Sequence, residues 1–297
     1  MSFATLKKAR KTGFSKLTEE IEKLSTTNKS NNGNGADDRF WKLTVDKAGN
    51  GSAVIRFLPA PQGEDIPWVR TWDHGFKGPG GWYIENSLTT LGKKDPVSEH
   101  NSKLWNSGIE SNKDIARKQK RRLSYYANIL VVSDSANPDN EGKTFLFKFG
   151  KKIFDKVNDS IDPEFDDETP VNPFDLWEGA NFKLRARQVN DFRNYDKSEF
   201  SSPSPLSEDD AEMEKIWNQE YSLQEFLEPK HFKTYEELAT RMTMVLGLRA
   251  DDAAAVDSPA PQRSIQSERS LPTAEADAGD VEDESDLSYF SKLADEA

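Results

Sequence analysis

Two stretches of this sequence set cations beside aromatic rings. Lys113–Tyr126 (KDIARKQKRRLSYY) holds six Lys or Arg, one Asp and two Tyr. Lys143–Lys156 holds five Lys and one Asp, interleaved with Phe145, Phe147, Phe149 and Phe154. Single-stranded nucleic acid needs this mixture, because cations track phosphates and rings stack on bases with little regard to their identity. Lys120, Arg121, Arg122, Lys151 and Lys152 are the expected phosphate contacts. A third basic group, Lys183, Arg185 and Arg187, alternates with Phe182, Leu184 and Ala186, so it occupies one face of a strand. Each cluster also fits a plainer role, since three Phe on one strand face suit a core and a basic run suits a solvated face. Their recurrence favours nucleic acid.

Catalytic patterns are missing. There is no GxxxxGK[ST], and Gly142-Lys143-Thr144 lacks the upstream glycine. GxSxG, HExxH and GxGxxG do not occur. Asp159–Glu178 gathers eight acidic residues and no Lys or Arg, which reads as a solvated loop. With no cysteine, disulfides, thiol chemistry and Cys-based zinc sites are excluded together. An enzyme is not expected, and neither a cofactor nor a metal is required; His74 with Asp95 and His100 is the nearest approach to a ligand set. Two alternatives stand beside single-strand binding: a general RNA or DNA chaperone using the same cleft, and a metal-dependent phosphodiesterase using the acidic segments.

The elements that must position these residues are mainly strands. Trp41, Leu43 and Val45 alternate with polar residues, Ala48-Gly49-Asn50-Gly51 supplies turn chemistry, and 53–58 returns as a second strand. Tyr125–Val132 fits a buried strand, Phe145–Phe149 another, and Phe182–Val189 a third. Helices are expected late: one capped by Ser207 and running through Met213 and Trp217, and one opened by the Thr234-Tyr235-Glu236-Glu237 capping box. The expected fold is a mainly β barrel with helical additions, and 297 residues allow one core with a satellite subdomain.

Charge is distributed unevenly. The net charge is −12, yet residues 1–36 hold seven Lys or Arg and three Glu, and residues 251–297 hold three Lys or Arg and thirteen Asp or Glu. A basic head and an acidic tail read as interaction arms. The expected organisation is a basic arm over 1–24, a linker over 25–38, a core over 39–249 and a disordered acidic tail over 250–297. No stretch is apolar enough to span a membrane, and the first sixteen residues lack a secretory apolar core.

Specific strings then carry a resemblance. They include Ala53-Val54-Ile55-Arg56-Phe57-Leu58-Pro59, His74-Gly75-Phe76-Lys77, Trp82-Tyr83-Ile84-Glu85, Ala127-Asn128-Ile129-Leu130-Val131-Val132, Phe149-Gly150-Lys151-Lys152-Ile153, Trp177-Glu178-Gly179-Ala180-Asn181-Phe182 and Asn194-Tyr195-Asp196. In order and spacing the chain resembles the single-stranded DNA-binding proteins of T-even-type bacteriophages. The resemblance implies an OB-fold core that coats single-stranded DNA cooperatively during replication, recombination and repair, in the cytoplasm of the infected bacterial host. It implies that Tyr125, Phe147, Phe192 and Tyr195 lie in or near the DNA cleft. Lys120-Arg121-Arg122-Leu123-Ser124 falls on the family's internal basic motif. Its N-terminal counterpart, at Lys7, Lys8, Arg10, Lys11 and Thr12, implies head-to-tail self-association. The acidic tail, with Leu287, Tyr289, Phe290 and Leu293 among acids, implies docking to phage replication and recombination proteins.

The chain also departs from the family. Members with a structural zinc use one His and three Cys; here His74 remains, while Ser87, Asp95 and Ser98 stand at the cysteine positions. Tyr126 replaces a tryptophan, Phe147 replaces a tyrosine, and 106–119 is longer than expected. Packing of Trp72, Trp82 and Trp105 is the expected replacement for the metal.

Overall fold

The structure, a computed structural model, describes residues 37–165, 167–190 and 192–248. The self-association residues expected at Lys7, Lys8, Arg10, Lys11 and Thr12 and the docking residues expected at Leu287, Tyr289, Phe290 and Leu293 lie outside the described residues. At the start of the described chain, Asp37 accepts from the Arg39 backbone at 3.0 Å and from its guanidinium at 2.8 Å, just before a two-residue strand, β1 (Phe40–Trp41).

From Lys42 the chain forms one unit in which antiparallel strands dominate and helices are added. The strands are β2 (Gly51–Phe57), β3 (Val69–Gly78), β4 (Gly81–Asn86), β5 (Arg122–Ser133), β6 (Thr144–Phe149), β7 (Phe182–Val189), β8 (Phe192–Asn194) and β9 (Glu199–Phe200). β5 organises them. One edge of β5 pairs with β6. Its other edge pairs first with β3, through Arg122–Tyr126, and then with β2, through Ile129–Ser133. A strand that serves two partners in succession on one edge turns a corner between them, and a register shift at Val54/Ile55 in β2 relieves the bend. β2 continues the sheet to β7, which carries β8 and β9.

Side-chain alternation points one row of each strand inward. Ile55, Phe57, Ala127, Ile129, Phe147, Phe149, Phe182 and Leu184 are all buried. Phe57 is the hub, with its ring centroid 5.6 Å from Phe149 and Phe174 and 5.8 Å from Phe182. Removing such a ring leaves a cavity as well as losing burial, at a cost of about 3–5 kcal/mol.

A second apolar core lies at the far end of the β3–β4 hairpin. Phe76 and Tyr83 stack with centroids 5.0 Å apart, and Leu88, Val97, Leu238, Met242 and Val245 surround them. Leu88 comes from the turn between β4 and α1 (Pro96–Asn106), Val97 from α1 itself, and Leu238, Met242 and Val245 from α5 (Tyr235–Leu246). The helix approaches the hairpin so closely that a Cβ on Gly80 would sit 2.1 Å from the Met244 carbonyl, so only glycine fits. This core takes the place of the expected satellite subdomain.

Several local expectations hold. β7 has the predicted bounds, with Leu184 and Ala186 buried and Arg185 and Arg187 exposed. Thr234 and Glu237 form the reciprocal capping box that opens α5. Others need correction. Of the first expected strand, Trp41, Leu43 and Val45, only Trp41 is paired in a strand, β1. The cap of α4 (Asp210–Trp217) is Asp209, whose carboxylate accepts from the Ala211 backbone at 2.9 Å, while Ser207 turns its hydroxyl to Glu212. Three helices come earlier than expected: α1, α2 (Glu110–Gln119) and α3 (Lys151–Ile161). The start of α1 carries a readable signal, a capping Asp95 followed by Pro96 at the first helical position. Among the described residues no helix is long and apolar enough to cross a membrane.

Candidate nucleic-acid interface

Tyr125 faces inward from β5 near the end of its pairing with β3, before the strand passes to β2. Its ring lies parallel to Phe154 of α3, centroids 4.0 Å apart and 4° between planes, and 5.8 Å from Phe149. Trp68 closes the far side, its ring edge-on to Phe154 at 5.5 Å and 5.3 Å from Phe174. Burial raises the pKa of the Tyr125 phenol, so it stays protonated; Arg70 and Lys151 pull against that shift, and Asp155 adds to it. Arg70 stands directly across the β3–β5 pairing from Tyr125.

α3 brings the expected cations to this cluster. β6 runs through Gly150 straight into the helix, which buries Ile153 and Val157 and turns Lys151 outward. Lys151 pairs with Asp155 at 2.7 Å. Lys156 Nζ reaches the Asp196 carbonyl at 3.4 Å, which ties α3 to the loop bearing Tyr195. The fold therefore gathers Tyr125, Lys151, Lys152 and Tyr195 around one helix. It adds Trp68, Arg70 and Phe154, of which only Phe154 belongs to a basic-aromatic stretch of the sequence. The missed signal is the alternation Trp68, Arg70, Trp72 leading into β3, where the intervening Val69 and Thr71 are buried.

Other expected contacts are not gathered there. Strand alternation sends Arg122 to the opposite face of β5 from Tyr125, where its guanidinium pairs with Asp73 at 2.5 Å and lies over Gly75. Lys148 joins the same carboxylate at 3.6 Å and sits over Tyr126. Phe147 is only 5% exposed, with its ring 5.4 Å from Phe149 inside the core, so it presents no open face to a base. Arg185 lies on the outer face of β7, 3.3 Å from Glu199, beside a groove lined by Ser52, Val54, Ser133 and Lys183. Phe192, at 46% exposure, offers an open ring on β8. Lys120 and Arg121 lead into β5, and the Arg121 guanidinium stands 4.1 Å over the Trp72 ring.

A family model described as gp32 DNA binding protein like matches residues 49–246. The chain belongs to that family. It is 45% identical over 226 residues to the single-stranded DNA-binding protein of Enterobacteria phage T2, covering 74% of each chain. With the single-stranded DNA-binding protein of Enterobacteria phage T4 the identity is 43% over 240 residues, 78% of each. These relatives are named as binding proteins, not as enzymes.

Of the four positions at which the resemblance implies zinc ligands, His74 and Asp95 meet in this chain and Ser98 gives Asp95 its backbone N–H, while the Ser87 hydroxyl lies 3.0 Å from Thr89 Oγ1. His74, Ser87, Asp95 and Ser98 are all buried. His74 Nδ1 is 3.0 Å from the Gln119 carbonyl, and Nε2 is 3.3 Å from Asp95 Oδ1. Asp95 accepts from the backbone of Val97 and Ser98 at 3.1 and 3.0 Å and, through Oδ2, from Leu88 at 3.1 Å. Burial pushes the Asp95 pKa up, but His74 and the backbone donors outweigh it and leave it at about 2. Structural zinc takes thiolate and imidazole ligands; here the carboxylate oxygens are committed to backbone N–H groups, and the donor set does not fit that metal. Among the described residues no group of three or more His, Cys, Asp or Glu could hold one. The expected tryptophan packing needs correction at Trp82, which is 50% exposed; Trp105 packs on Leu104 and Ala116, and the apolar core around Phe76 and Tyr83 supplies the rest.

Proposed function

We propose that this protein binds single-stranded DNA cooperatively and without sequence preference, coating it during phage DNA replication, recombination and repair. The observation that carries this is the half-buried Phe154 ring, backed by the buried Tyr125 and flanked by Arg70 and Lys151, in a chain of this family. Aromatic faces take any base and cations take the backbone, which gives affinity without sequence readout.

In this proposal Lys120, Arg121, Lys151, Lys152 and Arg185 contact phosphate, Phe192 and Tyr195 contact bases, and Tyr125, at 6% exposure, backs Phe154 rather than meeting a base itself. Arg122 and Phe147 hold the platform from behind. The five strands β2, β3, β5, β6 and β7, with β5 shared between two neighbours on one edge, support an OB-fold core over 39–249. Residues 1–24 form the self-association arm, through Lys7, Lys8, Arg10, Lys11 and Thr12 against an acidic surface of the next protomer, with 25–38 as linker. Residues 250–297 compete with DNA for cationic surface and dock phage replication and recombination proteins through Leu287, Tyr289, Phe290 and Leu293. The protein acts in the cytoplasm of the infected host cell.

The test is a titration at several salt concentrations on poly-dT, a short dT oligonucleotide, RNA and duplex. Tighter binding to long single-stranded DNA than to the short oligonucleotide, with RNA and duplex weaker, supports the proposal. Equal affinity for RNA favours a general nucleic-acid chaperone. Cleavage of the strand with magnesium or manganese present would overturn a pure binding role.

A further inference from the structure

Trp72 sits on the same face of β3 as Arg70, two residues further on, and pairs with Leu123 as Arg70 pairs with Tyr125. Residues two apart on a strand are separated by about 6–7 Å. The indole therefore continues the row that begins with Phe154 and Tyr125 and carries it toward the second core. Its backbone is pinned on both sides. The Trp72 N–H donates to Thr90 Oγ1 at 2.8 Å, and its carbonyl accepts from the Ser87 N–H at 2.9 Å. The ring itself is only partly buried. Two guanidinium groups converge on it: Arg121 at 4.1 Å from the ring centroid and Arg70 at 6.0 Å.

Two cations at one ring place positive charge where a strand's phosphates can meet it. The indole also holds the Arg121 guanidinium flat by cation–π attraction. A flat guanidinium offers its own plane to a base, as an aromatic ring does. We propose that Trp72 and Arg121 form an additional base-stacking unit, with Arg70 taking the adjoining phosphate, which lengthens the DNA track beyond Tyr125 by about one nucleotide. This inference rests on the single-strand proposal above, which already uses Arg70 and Arg121; what it adds is Trp72 and a stacking role for Arg121.

The test compares full-length wild type with Trp72→Leu, Trp72→Phe and Arg121→Ala on dT oligonucleotides of increasing length. Affinity, its salt dependence and the melting temperature are measured on each protein. Loss of a stacked base costs roughly 5- to 150-fold in affinity, so Trp72→Leu should bind that much more weakly, with an unchanged log K against log salt slope. Trp72→Phe should keep most of the affinity. Arg121→Ala should lose affinity and also flatten the slope by about 0.7. The Trp72→Leu defect should vanish on oligonucleotides too short to reach past Tyr125. A lower melting temperature with wild-type affinity would make Trp72 purely structural and overturn the inference. So would a Trp72→Leu protein whose slope flattens with its affinity, since the indole would then only anchor Arg121. Failure of the wild type to bind single strands would instead remove the functional proposal itself.

Discussion

Arg122 and Asp73 face each other across the β3–β5 pairing, Nη2 to Oδ1 at 2.5 Å and Nε to Oδ1 at 2.6 Å. The preceding residue, Arg121, points the other way, onto Trp72. Adjacent arginines in one basic run thus have different work. Arg121→Ala should weaken binding to all single-stranded sequences alike and flatten the salt slope by about 0.7. Arg122→Ala should leave that slope unchanged and lower the melting temperature. Equal slopes for the two variants would show that their faces are not functionally distinct.

Phe147 and Phe192 make a second contrasting pair. Phe147→Ala should cost about 3–5 kcal/mol of stability, as for other buried rings, while its folded fraction binds DNA normally. Phe192→Ala should leave the melting temperature near wild type and cost ~1–3 kcal/mol of binding. Calorimetry and oligonucleotide titration on the same preparations check both. Normal binding by the Phe192 variant would remove that ring from the interface.

Asp95 ties the start of α1 to Leu88 through backbone hydrogen bonds. Asp95→Ala leaves buried donors on Leu88, Val97 and Ser98 without their acceptor and should destabilise by about 1–3 kcal/mol. Treating the wild type with EDTA should not move its melting temperature. A clear drop with chelator would mean that a metal contributes after all.

Glu220 gives a pH signature. Burial, reinforced by the like charge of Glu64, raises its pKa to about 9, and neither carboxyl oxygen has a hydrogen-bond partner. An unfolded Glu titrates near ~4.3. Between those values the folded protein keeps a proton that the unfolded chain releases, so stability falls as pH rises through the window. Glu220→Gln should therefore be more stable than wild type near pH ~8 and little different near pH ~4, by the same linkage. Parallel melting curves at both pH values would contradict a buried, protonated Glu220.

The terminal arms give the last prediction. Deleting residues 1–18 should abolish cooperative filling of poly-dT and leave binding to a one-protomer oligonucleotide little changed. Truncation after about residue 250 should strengthen DNA binding most at low salt, where screening over a Debye length of ~10 Å at 0.1 M has not yet removed the tail's charge. Electron microscopy of coated DNA and titrations at two salt concentrations check these. Persistent clustering without the head would place self-association elsewhere.

The sequence by itself determined the features that obey local rules. Alternation in 182–189 set which face of β7 is buried, and the Thr234–Glu237 spacing set the start of α5, because both depend on residues within a turn or a pleat of one another. The strings shared with the phage proteins located the family. Basic and aromatic composition marked segments from which the fold brings Tyr125, Lys151 and Lys152 to one helix. Only the tertiary structure decided where each side chain of those segments points. Lys120-Arg121-Arg122 reads as one patch until the register with β3 sends Arg122 to Asp73. Phe147 reads as a platform until Phe57 and Phe149 enclose it. His74 and Asp95 lie 3.3 Å apart only because α1 folds back on β3. Strand period assigns residues to two faces but does not say which face another element will cover; pairings between residues distant in the chain decide that.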